Sequence, residues 1–265
     1  MEWKKVKWLI ITLLLAVNIF LGINIAIRYT TSINHEKNDL KTALSLAPRD
    51  AGFSMDKFEK LPRYLYSFYG KRDLTAEIKL AKLLMGENSN TEKMGGGVYL
   101  YSLVTKERLI FRRGGAIEGI IPSPKKTPES LFNGFFEAED VTFERKDQVY
   151  SFSYDEVEIS NASLSYITAG NYMSVTGILP LSQSWEKAEK SRSRSEMVMA
   201  LSQAVSDNEM GNLISVKVVY FLESNGVSDL RLTPAWLAEC DKGNITVSMS
   251  DKSVLAVEKT AVHFD

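Results

Sequence analysis

An uncharged run of twenty residues, from Trp8 to Ile27, constrains what this chain can fold into more than any other feature. At about 1.5 Å of rise per residue, a helix of this length crosses the roughly 30 Å hydrocarbon core of a bilayer. No other stretch of the sequence is as long and as apolar. We therefore predict a single transmembrane helix that tethers the rest of the chain.

The charges that flank the run predict the direction of this helix. Lys4, Lys5 and Lys7 precede it, and Arg28 follows it. Because basic flanks tend to stay in the cytoplasm, the N-terminus is predicted inside and the bulk of the chain outside. A cleaved signal peptide is the alternative, but its apolar core would span only roughly 7–15 residues and end in a small-x-small site. Residues 25–29 contain no such pair, which favours a retained anchor.

The predicted organisation has four parts. They are a cytoplasmic leader (1–7), a transmembrane helix (8–28), a juxtamembrane segment (29–48) and an extracytoplasmic domain (49–265), with a subdomain break near 181–194 left open. The domain is long enough to bury a substantial core. The formal net charge is −1, so the chain has no basic excess that would indicate a nucleic-acid partner. Because of the transmembrane helix, membrane lipid is an expected partner. The single cysteine excludes an intrachain disulfide.

Helical spacing alternates with strand-like runs throughout this domain. Asp73 and Thr127 are predicted helix N-caps, and a third helix is predicted around residues 197–205. Strand-like runs follow each helix, and their linkers are too short for the crossovers of a parallel sheet. The pattern predicts an α+β fold, with helices packed on one face of antiparallel sheets, behind the single N-terminal transmembrane helix. No residue-level periodicity supports an internal repeat.

The sequence offers little catalytic chemistry. His35 and His263 are the only histidines, and neither has a partner at metal-ligand spacing. The glycine clusters at 95–97 and 114–115 lack the Lys-Ser/Thr of a phosphate loop and are expected to form tight turns. Cys240 alternates with apolar residues on a predicted strand and is expected to be a buried thiol. We predict no catalytic residue, no metal and no cofactor.

One weak match to a catalytic signature is kept as an alternative. Ser184 and Lys187 form S-x-x-K, residues 206–208 form S-D-N, and residues 259–261 approach K-T-G, in the order found in penicillin-binding serine acyltransferases. That chemistry requires Ser184 to open a buried helix, with Lys187 one turn further on. Ser184 lies instead in a polar stretch, and Ala261 replaces the final glycine. A non-enzymatic protein is the favoured hypothesis.

The transmembrane run carries one stripe that differs from its surroundings. Leu15, Asn18, Gly22 and Ile25 share a helix face, and Tyr29 continues it. A small residue lets two helices approach, and an Asn amide in lipid gains roughly 0.5–2 kcal/mol from a partner across the interface. The stripe is therefore a predicted docking face for another membrane helix. The alternative is that Asn18 bonds its own backbone and that Gly22 is incidental.

Both ends of the chain resemble one protein family. The opening MEWKKVKWLIITLLLAVNIFLG, with the element Asn18-Ile19-Phe20-Leu21, is similar to the start of the YycI and YycH regulatory proteins of Gram-positive bacteria. The segment Thr233–Leu237, followed by a strand, a turn and Ile245–Met249, resembles the closing hairpin of that family. The overall length fits the shorter YycI type, and the middle of the chain carries no motif of the family.

The resemblance implies a non-enzymatic role at the membrane. Family members associate with the WalK (YycG) sensor histidine kinase and adjust its signalling, largely through their spans. The implied partners are therefore a sensor histidine kinase and a second, YycH-type membrane regulator, and Asn18 and Gly22 become natural contact residues. The alternative function is a cell-envelope module that binds a peptide or another ligand without any kinase.

The retained anchor predicts the mass of the protein extracted from membranes. The full chain has a mass of 29.8 kDa, and we expect intact mass spectrometry to find it uncleaved. Removal of a signal peptide would instead shorten the N-terminus by about 30 residues. A product shortened in this way would contradict the anchor.

Overall fold

The computed structural model describes residues 3–48, 51–105, 107–124 and 127–260, and it begins with one long helix. Helix α1 runs without a break over Trp3–Leu46, which at about 1.5 Å per residue corresponds to roughly 66 Å. It ends just before Pro48, the first proline of the chain, because the residue before a proline is disfavoured in helical conformation. Within the described residues, α1 is the one helix long and apolar enough to cross a bilayer.

The domain body, residues 51–260, repeats one order of elements three times: a helix followed by four strands. Two short elements come first, α2 (Met55–Phe58) and β1 (Tyr66–Arg72). The first unit is α3 (Leu74–Met85), β2 (Asn90–Gly95), β3 (Val98–Ser102), β4 (Arg108–Phe111) and β5 (Ala116–Pro122). The second is α4 (Pro128–Ala138), β6 (Thr142–Lys146), β7 (Val149–Tyr154), β8 (Val157–Ala169) and β9 (Tyr172–Ile178). After β10 (Ser182–Lys190) comes the third, with α5 (Arg194–Asp207), β11 (Leu213–Asn225), β12 (Asp229–Cys240), β13 (Gly243–Ser248) and β14 (Val254–Lys259).

The helix starts follow from the capping residues. The Asp73 carboxylate accepts hydrogen bonds from the amides of Thr75 and Ala76, at 2.8 and 3.1 Å, and so caps α3. Thr127 caps α4 in the same way, with Pro128 in the first helical position. Together with the three helix-and-strand units, these caps confirm the predicted α+β class.

The first two units join through their last strands. Their sheet has the order β2-β3-β4-β5-β9-β8-β7-β6, in which β5 and β9 pair antiparallel from Ala116↔Ile178 to Pro122↔Tyr172. Strands β11 and β12 of the third unit form a second sheet with β1 and β10, in the order β10-β1-β12-β11, and β13 and β14 extend it from the later half of β12. The two sheets meet at one parallel pairing, Tyr220↔Ile159. The strands at this junction belong to different units, so short linkers do not forbid the parallel direction.

Two hydrophobic cores lie under these sheets. The larger one packs α3 and α4 against the first sheet and is rich in aromatic rings, including Phe132, Phe136 and Tyr150, which are fully buried. The smaller one packs α5 and the end of α1 against β12 and β13, around the fully buried Trp236. The membrane helix therefore contributes to a core of the body, since Leu40 is 1% exposed.

The polar stretch at the possible subdomain break, 181–194, contains strand β10. It is an edge strand that pairs with β1, from Tyr66↔Lys190 to Arg72↔Ser182. Its side chains are mostly exposed on both faces, so it lacks the alternation of apolar and polar residues that marks a half-buried strand. The Lys187 ammonium lies 3.5 Å from the centre of the Tyr66 ring, a cation–π contact that helps to hold the edge.

A buried ion pair ties the first unit to the second sheet. Arg72, at the end of β1, donates two hydrogen bonds to the Glu77 carboxylate in α3, at 2.5 and 2.8 Å. A third bond, of 2.5 Å, goes to the Gly97 carbonyl in the turn between β2 and β3. Both side chains are at most 2% exposed. Burial raises the pKa of Glu77, and the Arg72 guanidinium opposes that rise.

We expect Glu77→Ala to destabilise the protein by about 3–5 kcal/mol, because it leaves the Arg72 guanidinium buried without its partner. The free energy of unfolding would be measured by urea denaturation. Lys79→Ala is the matched control, since it breaks a surface pair of Lys79 with Glu139 in the same helix and should have a far smaller effect. Equal losses of unfolding free energy from the two variants would show that the buried Arg72 guanidinium does not need Glu77 as its partner.

Candidate functional site

The membrane helix is fixed to the body through one buried carboxylate, Glu36. Arg194, at the start of α5, donates a hydrogen bond of 2.8 Å from Nε to Glu36 Oε1, and its Nη2 forms an ion pair with the same oxygen at 2.8 Å. Arg63 places its Nε 3.0 Å from Glu36 Oε2. Glu36 is 6% exposed, so a single glutamate of α1 is held by two guanidinium groups of the body, away from most of the solvent. Charge-assisted bonds of this kind are among the strongest in proteins.

Arg194 also fixes the loop between α2 and β1. Its Nη1 donates to the carbonyls of Glu59 at 2.7 Å and Leu61 at 2.9 Å. Arg63, in the same loop, donates from Nη1 to the Ser32 hydroxyl of α1 at 2.9 Å. Two turns of α1, this loop and the start of α5 therefore form one hydrogen-bonded junction, which we call the Glu36 junction.

Beyond the Glu36 junction, toward its C-terminal end, α1 packs against the body through apolar side chains. Leu40 and Ala43 lie on the same face of α1 as Glu36 and are buried, and Ala47, just after the end of the helix, is buried as well. Leu40 and Ala43 belong to the smaller core, with Phe58 and Trp236. The last three turns of α1 are thus a structural part of the body and not a flexible linker.

The predicted stripe lies on the part of α1 that the body does not cover. Leu15 is 60% and Ile25 67% exposed, and Asn18 and Gly22 are exposed as well. A Cβ added at Gly22 would meet nothing within 4 Å. No described residue of this chain packs on the stripe, so the face is free for lipid or for another helix.

Asn18 differs from the other neutral polar residues of the span. The Thr12 hydroxyl donates to the Trp8 carbonyl, and the Asn24 amide donates to the Phe20 carbonyl, both at 2.9 Å. Each of these side chains therefore bonds the backbone of its own helix. The Asn18 amide makes no such bond within the described part of the chain, so it retains its capacity for a partner across a helix interface.

The stripe and the Glu36 junction have the same rotational phase. Asn18 and Glu36 are separated by 18 residues, which is about five turns of a helix with 3.6 residues per turn, over roughly 27 Å. Both residues therefore lie on one side of α1. A helix bound to the stripe would lie on the side of α1 that carries the body. Sequence reasoning found the stripe but missed Glu36, because its partner Arg194 lies 158 positions away in the chain.

The S-x-x-K match does not form the arrangement that acyl transfer needs. Ser184 and Lys187 lie in strand β10, where side chains three positions apart point to opposite faces. Residues 206–208 lie at the end of α5 and just beyond it, and Lys259 ends β14. Ala261 lies outside the described residues.

The remaining predicted features are structural. Cys240 is buried, and burial raises its pKa to about 11, which leaves the thiol unreactive. His35 is exposed on α1, and His263 lies outside the described residues. Residues 95–97, the last residue of β2 and the two-residue turn that follows it, all have positive φ, as expected for glycine. Within the described residues, no group of three His, Cys, Asp or Glu side chains is placed to hold a metal.

The body also carries an open concavity of about 430 Å³ beside β1 and β10. Tyr69, Lys71, Ser184 and Asp229 are among the residues that line it. Tyr69 is 39% exposed and lies under the Arg231 guanidinium, 5.2 Å from the ring centre. The concavity combines an aromatic surface with groups of both charges.

Comparison with known proteins gives distant structural likenesses only. No family model matches the sequence, and no curated protein is significantly similar to it. An uncharacterized protein from Eubacterium rectale ATCC 33656 is 12% identical, with a TM-score of 0.40, over 74% of this chain and 87% of that one. The C-terminal domain of Bacillus megaterium YpeB is 12% identical, with a TM-score of 0.32, over 72% of this chain and 99% of that one.

We expect Glu36→Gln to lower the free energy of unfolding by about 3 kcal/mol, because the Arg194 guanidinium, 15% exposed, would lose the counter-charge that it shares with the more exposed Arg63. Urea denaturation of the full-length protein in detergent, monitored by tryptophan fluorescence, would measure this loss of unfolding free energy. Glu59→Gln is the matched control, since the Glu59 carboxylate pairs with Lys37 on the surface, and it should change stability far less. If Glu36→Gln unfolds like the unaltered protein, Glu36 does not fix the helix.

Proposed function

We propose that this protein is a single-pass membrane regulator that acts on a sensor histidine kinase through its transmembrane helix. The observation that supports this most directly is the state of Asn18, an exposed amide in the span without a described hydrogen-bond partner. It lies in phase with a carboxylate that is bound into the body. A polar face in lipid favours a partner helix. The resemblance of the chain's two ends to YycI and YycH proteins supports a kinase as that partner.

The unbroken α1 gives such a regulator a physical means of action. Because the Glu36 junction fixes α1 to the body, a shift or rotation of the body would move the membrane stripe as well. A regulator changes a kinase only if it binds the two signalling states with unequal affinity. The rigid connection would let a contact made by the body change that difference in affinity at the stripe.

The proposed topology places the N-terminal lysines in the cytoplasm and the body outside the cell. A second membrane regulator of the YycH type is a further proposed partner, since one stripe serves one neighbouring helix and the body offers other surfaces. Proposed as a regulator, the protein needs no catalytic group, metal or cofactor of its own.

A cell-envelope module that binds a ligand without any kinase is the second candidate function. The concavity beside β1 and β10 favours it, because an exposed tyrosine among mixed charges suits a peptide. The two candidate functions predict different results for one substitution in the concavity. Tyr69→Ala should abolish the function of a ligand-binding module, whereas a regulator that acts only through its span would keep its function.

We expect Asn18→Leu combined with Gly22→Leu to weaken association with the kinase in membranes. Loss of the amide's hydrogen bond and of the close approach at glycine should cost roughly 2- to 30-fold in affinity. The readouts are co-purification of the histidine kinase with the full-length protein and transcription from a promoter that depends on that kinase.

Ala16→Leu combined with Phe20→Leu is the control for this experiment. These positions lie on the opposite side of the same helix, so the double variant keeps the apolar span but spares the stripe. We expect it to behave like the unaltered protein. Unchanged co-purification of the stripe variant, or equal losses from both double variants, would argue against the stripe as the contact.

A further inference from the structure

The loop between α2 and β1 is bound to α1 just beyond the end of its apolar run. Arg63 donates to the Ser32 hydroxyl, and Ser32 is only four residues, about 6 Å of helix, beyond Arg28 at the end of the apolar run. The polar headgroup layer on each side of a bilayer is roughly 5–8 Å thick. When α1 spans a bilayer with its apolar run in the hydrocarbon core, Arg63 is therefore held within the headgroup layer.

The residues next to Arg63 have the chemistry of that layer. Tyr64 follows it directly in the chain and is 37% exposed. The Lys190 ammonium, at the end of β10, lies 3.5 Å from the centre of the Tyr64 ring. Tyrosine is enriched at membrane interfaces because its ring is apolar and its hydroxyl is polar. We call Arg63, Tyr64 and Lys190 the interfacial patch.

The charge at the interfacial patch is positive. The Glu36 carboxylate is shared by Arg63 and Arg194, so this group of three side chains has one positive charge in excess. Lys190 adds a second. Its neighbour Glu189 lies on the other face of β10 and pairs with Arg231 at 3.1 Å, so it does not neutralise Lys190.

We propose that the interfacial patch binds the headgroup of an anionic phospholipid and so fixes the body against the membrane. Arg63 and Lys190 supply the positive charge for the phosphate, and Tyr64 packs between the headgroup and the upper acyl chain. The inference requires α1 to span a bilayer but does not depend on a kinase partner. It can therefore fail while the proposed regulation stands, and the reverse.

Hydrogen exchange of the full-length protein in nanodiscs tests this proposal. Within the described residues, the amides of Arg63 and Tyr64 donate no hydrogen bond, so their exchange reports directly on coverage by lipid. We expect exchange of peptides covering residues 60–66 to be roughly fivefold slower in phosphatidylglycerol than in phosphatidylcholine nanodiscs, the effect of about one basic residue at an anionic surface. Sodium chloride at 1 M should remove the difference, because it shortens the screening length to about 3 Å.

Variants and a free anion separate the possible causes of slower exchange. Lys190→Glu should abolish the difference between the two lipids, and the milder Lys190→Gln should reduce it. Lys93→Glu is the matched control, since Lys93 is exposed, lies 5.9 Å from the centre of the Tyr99 ring and belongs to the edge strand of the other sheet. It should leave the difference intact.

Three results would overturn the proposal. Equal exchange in the two lipids would show that the patch does not distinguish headgroup charge. A difference that survives both substitutions at Lys190 would show that this charge is not involved. Equal slowing by inorganic phosphate in phosphatidylcholine nanodiscs would indicate a site for a free anion and not for lipid.

Discussion

The bonds between Glu36 and the two arginines determine how the rest of this protein is arranged. A transmembrane helix that ended at the membrane surface would carry its domain on a free linker. Here the helix continues into the body, and Arg194 and Arg63 engage both carboxylate oxygens of Glu36. Because a buried carboxylate without its partners would be costly, these bonds favour the one orientation of α1 in which both arginines reach Glu36. The rotational setting of α1 relative to the body is therefore fixed.

The three-unit body explains how such a helix can be held firmly. The first two units share one continuous sheet through β5 and β9, and their aromatic core also takes in residues of β11 and β12, among them Tyr220 and Leu232. The third unit, α5 with β11 to β14, encloses the smaller core and receives the end of α1. The buried pair of Arg72 and Glu77 links the end of β1, in the second sheet, to α3 of the first unit. The body therefore supports α1 as a connected structure.

Much of this fold could be predicted from the sequence. Local signals, such as the Asp73 cap and the proline after Thr127, are short-range and gave the helices and the α+β class correctly. Strand β10 was missed because an edge strand with both faces exposed has no alternation of apolar residues. The juxtamembrane segment, expected as a helix or coiled segment that ends near Pro48, continues the membrane helix without a break as far as Leu46.

The sequence by itself determined that the chain has one apolar helix of membrane length and a stripe around Asn18, since both depend only on spacing along one helix. Tertiary structure alone decided what that helix is attached to. Glu36 lies 158 positions from Arg194 in the chain, and no local pattern announces a pair so far apart. Only packing of α5 beside α1 brings the two charges together, and it is this pairing that aligns the stripe with the body.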